Sequence, residues 1–246
     1  MHNQATLSTD AFVGGYNFSS AAARLRDFAI KPLLIIGAFC LSCVSASAAK
    51  GHPNTSGWDE LFAADLSNAD LPEDGWVQKK GVLVAKDHFT IWTKKSYANF
   101  VLDLEFKVAQ ESNSGVFLRS GDTSKVLEAL EVQVHDSQDG AQYGMVGAIY
   151  NAQPPSKAMQ KPVGEWNRYT ITCKGKRLTL VFNGEQVWNI NLNDWNEAHK
   201  NADGTKNKFP KALKDYALKG PIGFQGLHGK AQAPVWYRNI KIKELK

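Results

Sequence analysis

From Trp58 to the C-terminus, apolar and polar residues alternate with a period of two in one short run after another, and turn residues separate the runs. In "NFVLDLEFKVA" (99–109), Phe100, Leu102, Leu104, Phe106 and Val108 fall on one face, with Val101, Asp103, Glu105 and Lys107 on the other. That is the pattern of a strand buried on one side. "GWVQKKGVLVA" (75–85) reads as two strands around a Lys-Lys-Gly turn. "RLTLVFNGEQVWNI" reads as a hairpin turning at Asn183-Gly184, a dipeptide suited to positive φ. "SGVFLRS", "LEVQVHD", "MVGAIYN", "NRYTITCKG", "GPIGFQGL" and "VWYRNIKIKEL" supply further strands, and no segment before residue 190 shows helical periodicity. The lysine-rich stretch 192–220 is long for a connection and reads as a decorated loop with a helical turn or as a lid. Many short strands without helices predict an all-β fold, a jelly-roll β-sandwich of antiparallel strands in one domain over residues 57–246.

A sandwich uses one face of each sheet for its core, and if a sheet curves, its outer face forms a shallow groove. Three runs place polar and aromatic groups opposite their aliphatic residues. In "NSGVFLRS", Val116 and Leu118 point to the core, which leaves Asn113, Gly115, Phe117 and Arg119 outward. In "LEVQVHD" the outward set is Glu131, Gln133 and His135. In "GPIGFQGLHG", Ile222 and Phe224 go inward and Gly223 and Gln225 outward, with His228 in the turn beyond. An outward Phe among Arg, Glu and Gln is unusual for a plain wet surface, and a ring beside polar groups suits recognition of a sugar.

The ordinary glycosidase mechanism needs two carboxylates on one face. Two residues after Glu131 stands Gln133, and Asp136 has the wrong parity. One carboxylate with amide and imidazole neighbours fits proton abstraction from an acidified carbon instead. His135 and His228 with Glu131 or Asp136 form a possible mixed nitrogen and oxygen metal site, although no H-x-x-x-H or C-x-x-C spacing supports it. His135 and Asp136 are the candidate ligands for a divalent cation. Nothing resembles a phosphate-binding loop or a G-x-S-x-G nucleophile.

Composition changes this picture little. The chain is 43% hydrophobic and 22% charged, ordinary for a globular protein. Its net charge of +5 comes from scattered lysines, not a basic run interleaved with aromatics, so a nucleic-acid partner is not expected. The N-terminus matters more. Arg24, Arg26 and Lys31 precede the apolar run 33–44, and Ala46-Ser47-Ala48 fits an A-x-A cleavage site. Residues 1–48 therefore read as a leader and secretory signal peptide, with an apolar run too short for a comfortable membrane span. After a polar linker at 49–56, the mature chain is expected to be exported to the periplasm or the medium. Cleavage leaves Cys173 alone, sharing parity with Ile171 and Tyr169, so it is expected to be buried and the domain to rely on its core.

Taken in order, "NSGVFLR", "LEVQVHDS", "GAIY", "KPVGEWNRYTITCKG", "FNGEQV", "GPIGFQGLHG" and "YRNIKIKEL" resemble the 3-keto-disaccharide hydrolase family, from about Trp58 to Lys246. The resemblance implies a concanavalin-like jelly roll that cleaves glycosides already oxidised to a ketone at C3. In such chemistry a base removes the acidified C2 proton and the C1 glycosidic oxygen leaves, with or without later addition of water. On this resemblance Glu131 is the expected base or essential ligand, and His228 serves the leaving group or the enolate. Gln133, Arg119 and Arg238 would bind sugar oxygens, while Tyr150, Lys161 and Trp166 would shape the groove. With Asn113, Phe117 and Gln225 from the outer face, these form the expected substrate-binding set. No organic cofactor is implied, and a divalent cation is left open. Many relatives read "LQDHGG" where this chain has "FQGLHGKAQAPVW", without the Asp and with extra residues before the last strand. The alternative reading is a non-catalytic carbohydrate-binding module of the same fold.

Overall fold

The computed structural model describes residues 51–72, 74–137 and 142–246, so the expected leader and signal peptide lie outside the described residues. Two antiparallel sheets face each other. The larger runs in the order β11 (Glu185–Asn191), β10 (Arg177–Phe182), β9 (Asn167–Lys174), β6 (Phe100–Val108), β13 (Val235–Glu244), β4 (Val82–Ala85) and β3 (Trp76–Lys79), with β1 (Asp59–Glu60) also on β13. The smaller runs β2 (Ala69–Asp70), β5 (Ile91–Thr93), β12 (Gly223–Phe224), β7 (Asn113–Leu118) and β8 (Leu130–His135).

The core follows the alternation. Phe100, Leu102, Leu104 and Phe106 of β6, with Tyr169, Ile171 and Cys173 of β9, face Val116 of β7 and Val132 and Val134 of β8, all fully buried. Each large side chain buried in this way stabilises the fold by roughly 1.5–3 kcal/mol. Burial also pushes the Cys173 thiol up to about 11, as befits an inert apolar residue. Polar bonds fix the two sheets against each other. Tyr169 Oη donates to the Gln133 carbonyl at 2.8 Å. Tyr237 Oη lies 2.7 Å from Ser114 Oγ, which donates to the Gln225 carbonyl, also at 2.7 Å. These bonds hold β7, β8 and the end of β12 from behind, and those segments carry the candidate site.

The hairpin turn falls at Asn183 (φ 47°) and Gly184 (φ 90°), matching its dipeptide. One expected strand takes another form. The 145–150 segment lies along the outer edge of β8, where Gly147 N–H donates to Gln133 O and Tyr150 N–H to Glu131 O. Gly147 adopts φ 83°, which breaks an extended ladder, so the segment pairs irregularly. The stretch 192–220 is a long connection with 3₁₀ turns at Leu192–Asp194 and Leu213–Asp215. Trp195, Phe209 and Tyr216 anchor it in the core. No helix among the described residues is long and apolar enough to cross a membrane.

Candidate active site

Strand register builds the site. Across the smaller sheet, Asp70, Trp92, Gly223, Phe117 and Glu131 stand in one row, each paired with the next. This row points away from the core, because its neighbours Ile91, Phe224, Val116 and Val132 face inward. Two glycines let the row lie flat. A Cβ on Gly223 would sit 2.5 Å from the Trp92 ring, and one on Gly115 would fall on the Glu131 carboxyl, 2.6 Å from its Cγ. Glu131 therefore lies down along the sheet over Gly115, a diagonal approach that cross-strand spacing allows.

The resulting cavity, of about 260 Å³, gathers Glu131 with Asn113, Gln133, Tyr150, Gln225 and His228. All six are sequence-predicted. Val126 and Leu127 form an apolar wall, and Lys208 enters from the long connection. Glu131 is only 7% exposed, and no side-chain donor or cation pairs with its carboxyl among the described residues. Burial alone raises it from 4.5 to about 8. Around it, Gln133 Nε2 donates to Asn113 Oδ1 at 3.0 Å. Gln225 Oε1 is buried and has no hydrogen-bond partner among the described residues.

Other expected site residues go elsewhere. Phe117 holds its place in the row but is 1% exposed beneath Trp92, whose ring stacks on it at 5.4 Å, so it is not an open platform for a sugar. Arg119 leaves the strand with φ 50°, and its buried guanidinium donates to the Gly175 carbonyl at 2.8 Å, away from the Glu131 cavity. Lys161, Trp166 and Arg238 line a separate cavity of about 370 Å³ on the outer face of the larger sheet. There the Arg238 guanidinium lies 3.9 Å over the Trp166 ring and donates to Glu105 at 2.5 Å. The polar stretch read as a linker is fastened beside this cavity. Gly184 N–H donates to His52 Nε2, leaving Nδ1 to donate to Thr170 Oγ1 at 2.8 Å. Burial and then the Arg168 charge lower His52 to about 4.

His135 shares the outward face with Gln133, opposite Asn113, but does not line the Glu131 cavity. Its Nδ1 accepts from Ser137 N–H at 3.1 Å and lies equally close to Asp136 Oδ1. The Ser137 bond requires an unprotonated Nδ1, so the Asp136 contact is an approach rather than a hydrogen bond in that state. Asp136 Oδ2 accepts from Glu111 N–H at 2.5 Å. Among the described residues no three His, Cys, Asp or Glu side chains gather to hold a metal ion, so His135 and Asp136 do not complete the expected set.

Trp92, beside the cavity, and Val126, Leu127 and Lys208 on its wall were not singled out from the sequence. Trp92 sits in a three-residue strand, too short to show alternation. Lys208 had only the length and lysine content of its connection to mark it.

The sequence profile of the 3-keto-alpha-glucoside-1,2-lyase-like domain matches residues 51–243. A Bacteroides thetaiotaomicron protein named 3-keto-disaccharide hydrolase is 28% identical over 173 residues, which cover 61% of this chain and 59% of that one. The match thus spans less than two thirds of that curated relative. A crystal structure from Parabacteroides distasonis, of a protein named only provisionally as a glycosyl hydrolase, is 36% identical. It superposes with a TM-score of 0.73 over 76% of this chain and 99% of its own. A second provisionally named glycosyl hydrolase from the same organism, 23% identical with a TM-score of 0.63, shares the fold over 78% of this chain and 95% of its own.

Proposed function

The chain belongs to the 3-keto-alpha-glucoside-1,2-lyase-like domain family, and from that premise we propose that it cleaves 3-keto-glycosides by removing the C2 proton and expelling the C1 glycosidic oxygen. Water adds afterwards or not at all. The observation that carries this reading is the Glu131 carboxyl, buried on the floor of a cavity and paired with no cation among the described residues. An unpaired buried carboxylate destabilises a protein. A module that only bound sugar would gain nothing from it, whereas a proton-transfer catalyst gains basicity. With its pKa raised to about 8, the Glu131 carboxylate is a far stronger base than a surface carboxylate, and a stronger base removes a carbon-bound proton faster. The C3 ketone of the substrate supplies the matching acidity at C2.

One base suffices for this chemistry, and Gln133 stands where a second acid would be needed for ordinary glycoside hydrolysis. Asn113, Gln133 and Gln225 offer amide groups to the sugar hydroxyls. His228, exposed at the rim, is suited to serve the departing oxygen. Export follows from the leader pattern and belongs to the same reading.

The pH profile tests it. On a 3-keto-glucoside, kcat/KM is expected to rise as Glu131 ionises, with an apparent pKa of about 8. Near pH 7 only about a tenth of the enzyme would carry the active carboxylate. A profile that stays flat from about pH 5 to about pH 9 would remove Glu131 as the base.

A further inference from the structure

Removing the C2 proton places the C–H electron pair in a new C2–C3 π bond and pushes the carbonyl pair onto the former ketone oxygen. The charge that develops therefore sits on that oxygen, and Glu131, itself an acid, cannot stabilise it. Donors aimed at the developing charge are usually the largest single contribution to such a reaction. Among the described residues lining the Glu131 cavity, Lys208 alone is a lysine or arginine.

We propose that Lys208, together with Tyr150, forms the oxyanion site that holds the C3 oxygen of the keto sugar as it becomes an enolate. This rests on the C2-proton-abstraction reading above. Lys208 Nζ donates to Tyr150 Oη at 2.9 Å and lies 5.1 Å from the centre of that ring. The ammonium keeps further N–H groups, and the phenol keeps its own O–H, so both can donate to one incoming oxygen. No carboxylate pairs with Lys208 among the described residues.

The pair is also held in place. The Lys208 backbone N–H donates to Asn151 Oδ1 at 2.6 Å. Its chain neighbours Asn207 and Phe209 are buried, which fixes the backbone on both sides while the side chain stays exposed. Tyr150 N–H donates to the Glu131 carbonyl at 2.8 Å, so the donor pair is tied to the residue that carries the base. Such fixed donors need no reorganisation when charge appears.

The remaining steps balance. Collapse of the enolate re-forms the C3 carbonyl, makes the C1–C2 double bond and breaks the C1–O bond. The electron pair of that bond leaves on the aglycone oxygen, which takes the proton that Glu131 gained.

The test uses the full chain with Lys208→Gln, Lys208→Arg and Tyr150→Phe, assayed on a 3-keto-glucoside. A second readout is deuterium uptake at C2 of the 1-deoxy-3-keto sugar, which can enolise but has no leaving group. Lys208→Gln is expected to lower kcat by about 100-fold or more and to slow deuterium uptake in parallel. KM should change by less than about threefold, because the interaction strengthens only in the transition state. Lys208→Arg should retain about tenfold more turnover than Lys208→Gln, and melting temperatures should stay unchanged. Lys208→Gln with kcat within about threefold of wild type overturns the oxyanion assignment and leaves the Glu131 reading standing. Loss of kcat in Lys208→Gln only together with its fold, while Tyr150→Phe keeps full turnover, overturns it as well. A wild-type chain that neither cleaves the keto-glucoside nor takes up deuterium overturns both readings.

Discussion

Glu131→Gln is expected to lower turnover of a 3-keto-glycoside by about 100- to 10,000-fold, the range lost with a general base, and at the same time to make the protein more stable at alkaline pH. The two effects share one cause. Burial raises the Glu131 carboxyl from 4.5 in the open chain to about 8 in the fold. A group whose folded value lies above its unfolded value contributes its full stability below about pH 4.5, and loses that contribution as pH rises through about 8. The wild type therefore sheds stability across this window, whereas a neutral Gln does not titrate. The ceiling on the difference is about 5 kcal/mol, and water entry and local relaxation bring the expected gain at pH 8 to about 1–3 kcal/mol. Denaturant unfolding of both chains at pH 5 and pH 8 measures it. Equal stability of the two chains at both pH values would mean that Glu131 is not held as a buried, unpaired acid.

Gly115→Ala is the second substitution with a large expected effect, and it leaves every catalytic group chemically intact. In most strands, Ala for Gly is favourable on backbone entropy by about 0.5–1 kcal/mol. Here the new methyl would fall on the Glu131 carboxyl, with Cγ and Cδ at 2.6 and 2.7 Å. Overpacking of this kind costs about 1–3 kcal/mol, and swinging the carboxyl off the sheet is the available relief. Once swung toward solvent, the acid loses its desolvation and its raised basicity together. The expected result is a fall in kcat/KM of about 100-fold, because misplacement of a reacting group by about 1 Å has that effect. The rising limb of the pH profile should also move well below 8. Unchanged kcat/KM with an unchanged limb would show that the carboxyl does not need the space above Gly115.

Much of this architecture was legible as alternation. The period-two pattern of 99–109 is β6, and the outward parity of Asn113, Glu131, Gln133 and Gln225 puts them together in one cavity. Alternation separates inside from outside but does not say which of two outer faces a residue meets. That is why Lys161, Trp166 and Arg238, read as part of the same groove, instead line the larger sheet. Parity also presumes a regular strand. Arg119 has the outward parity, yet its φ of 50° turns it out of the strand and into a set of backbone carbonyls. Phe117 shows a different limit, because it does face outward but lies beneath Trp92, a neighbour contributed by β5 through Gly223. Lys208 reaches the Glu131 cavity only through the tertiary path of a long irregular connection, which has no periodicity to read.

The most direct measurement pairs a 3-keto-glucoside with its unoxidised parent and follows release of the same aglycone from each by the full chain. Abstraction of the C2 proton by Glu131 requires release from the keto compound, none above background from the parent, and loss of release in Glu131→Gln. Release from the parent alone, or equal release by wild type and Glu131→Gln, would contradict it.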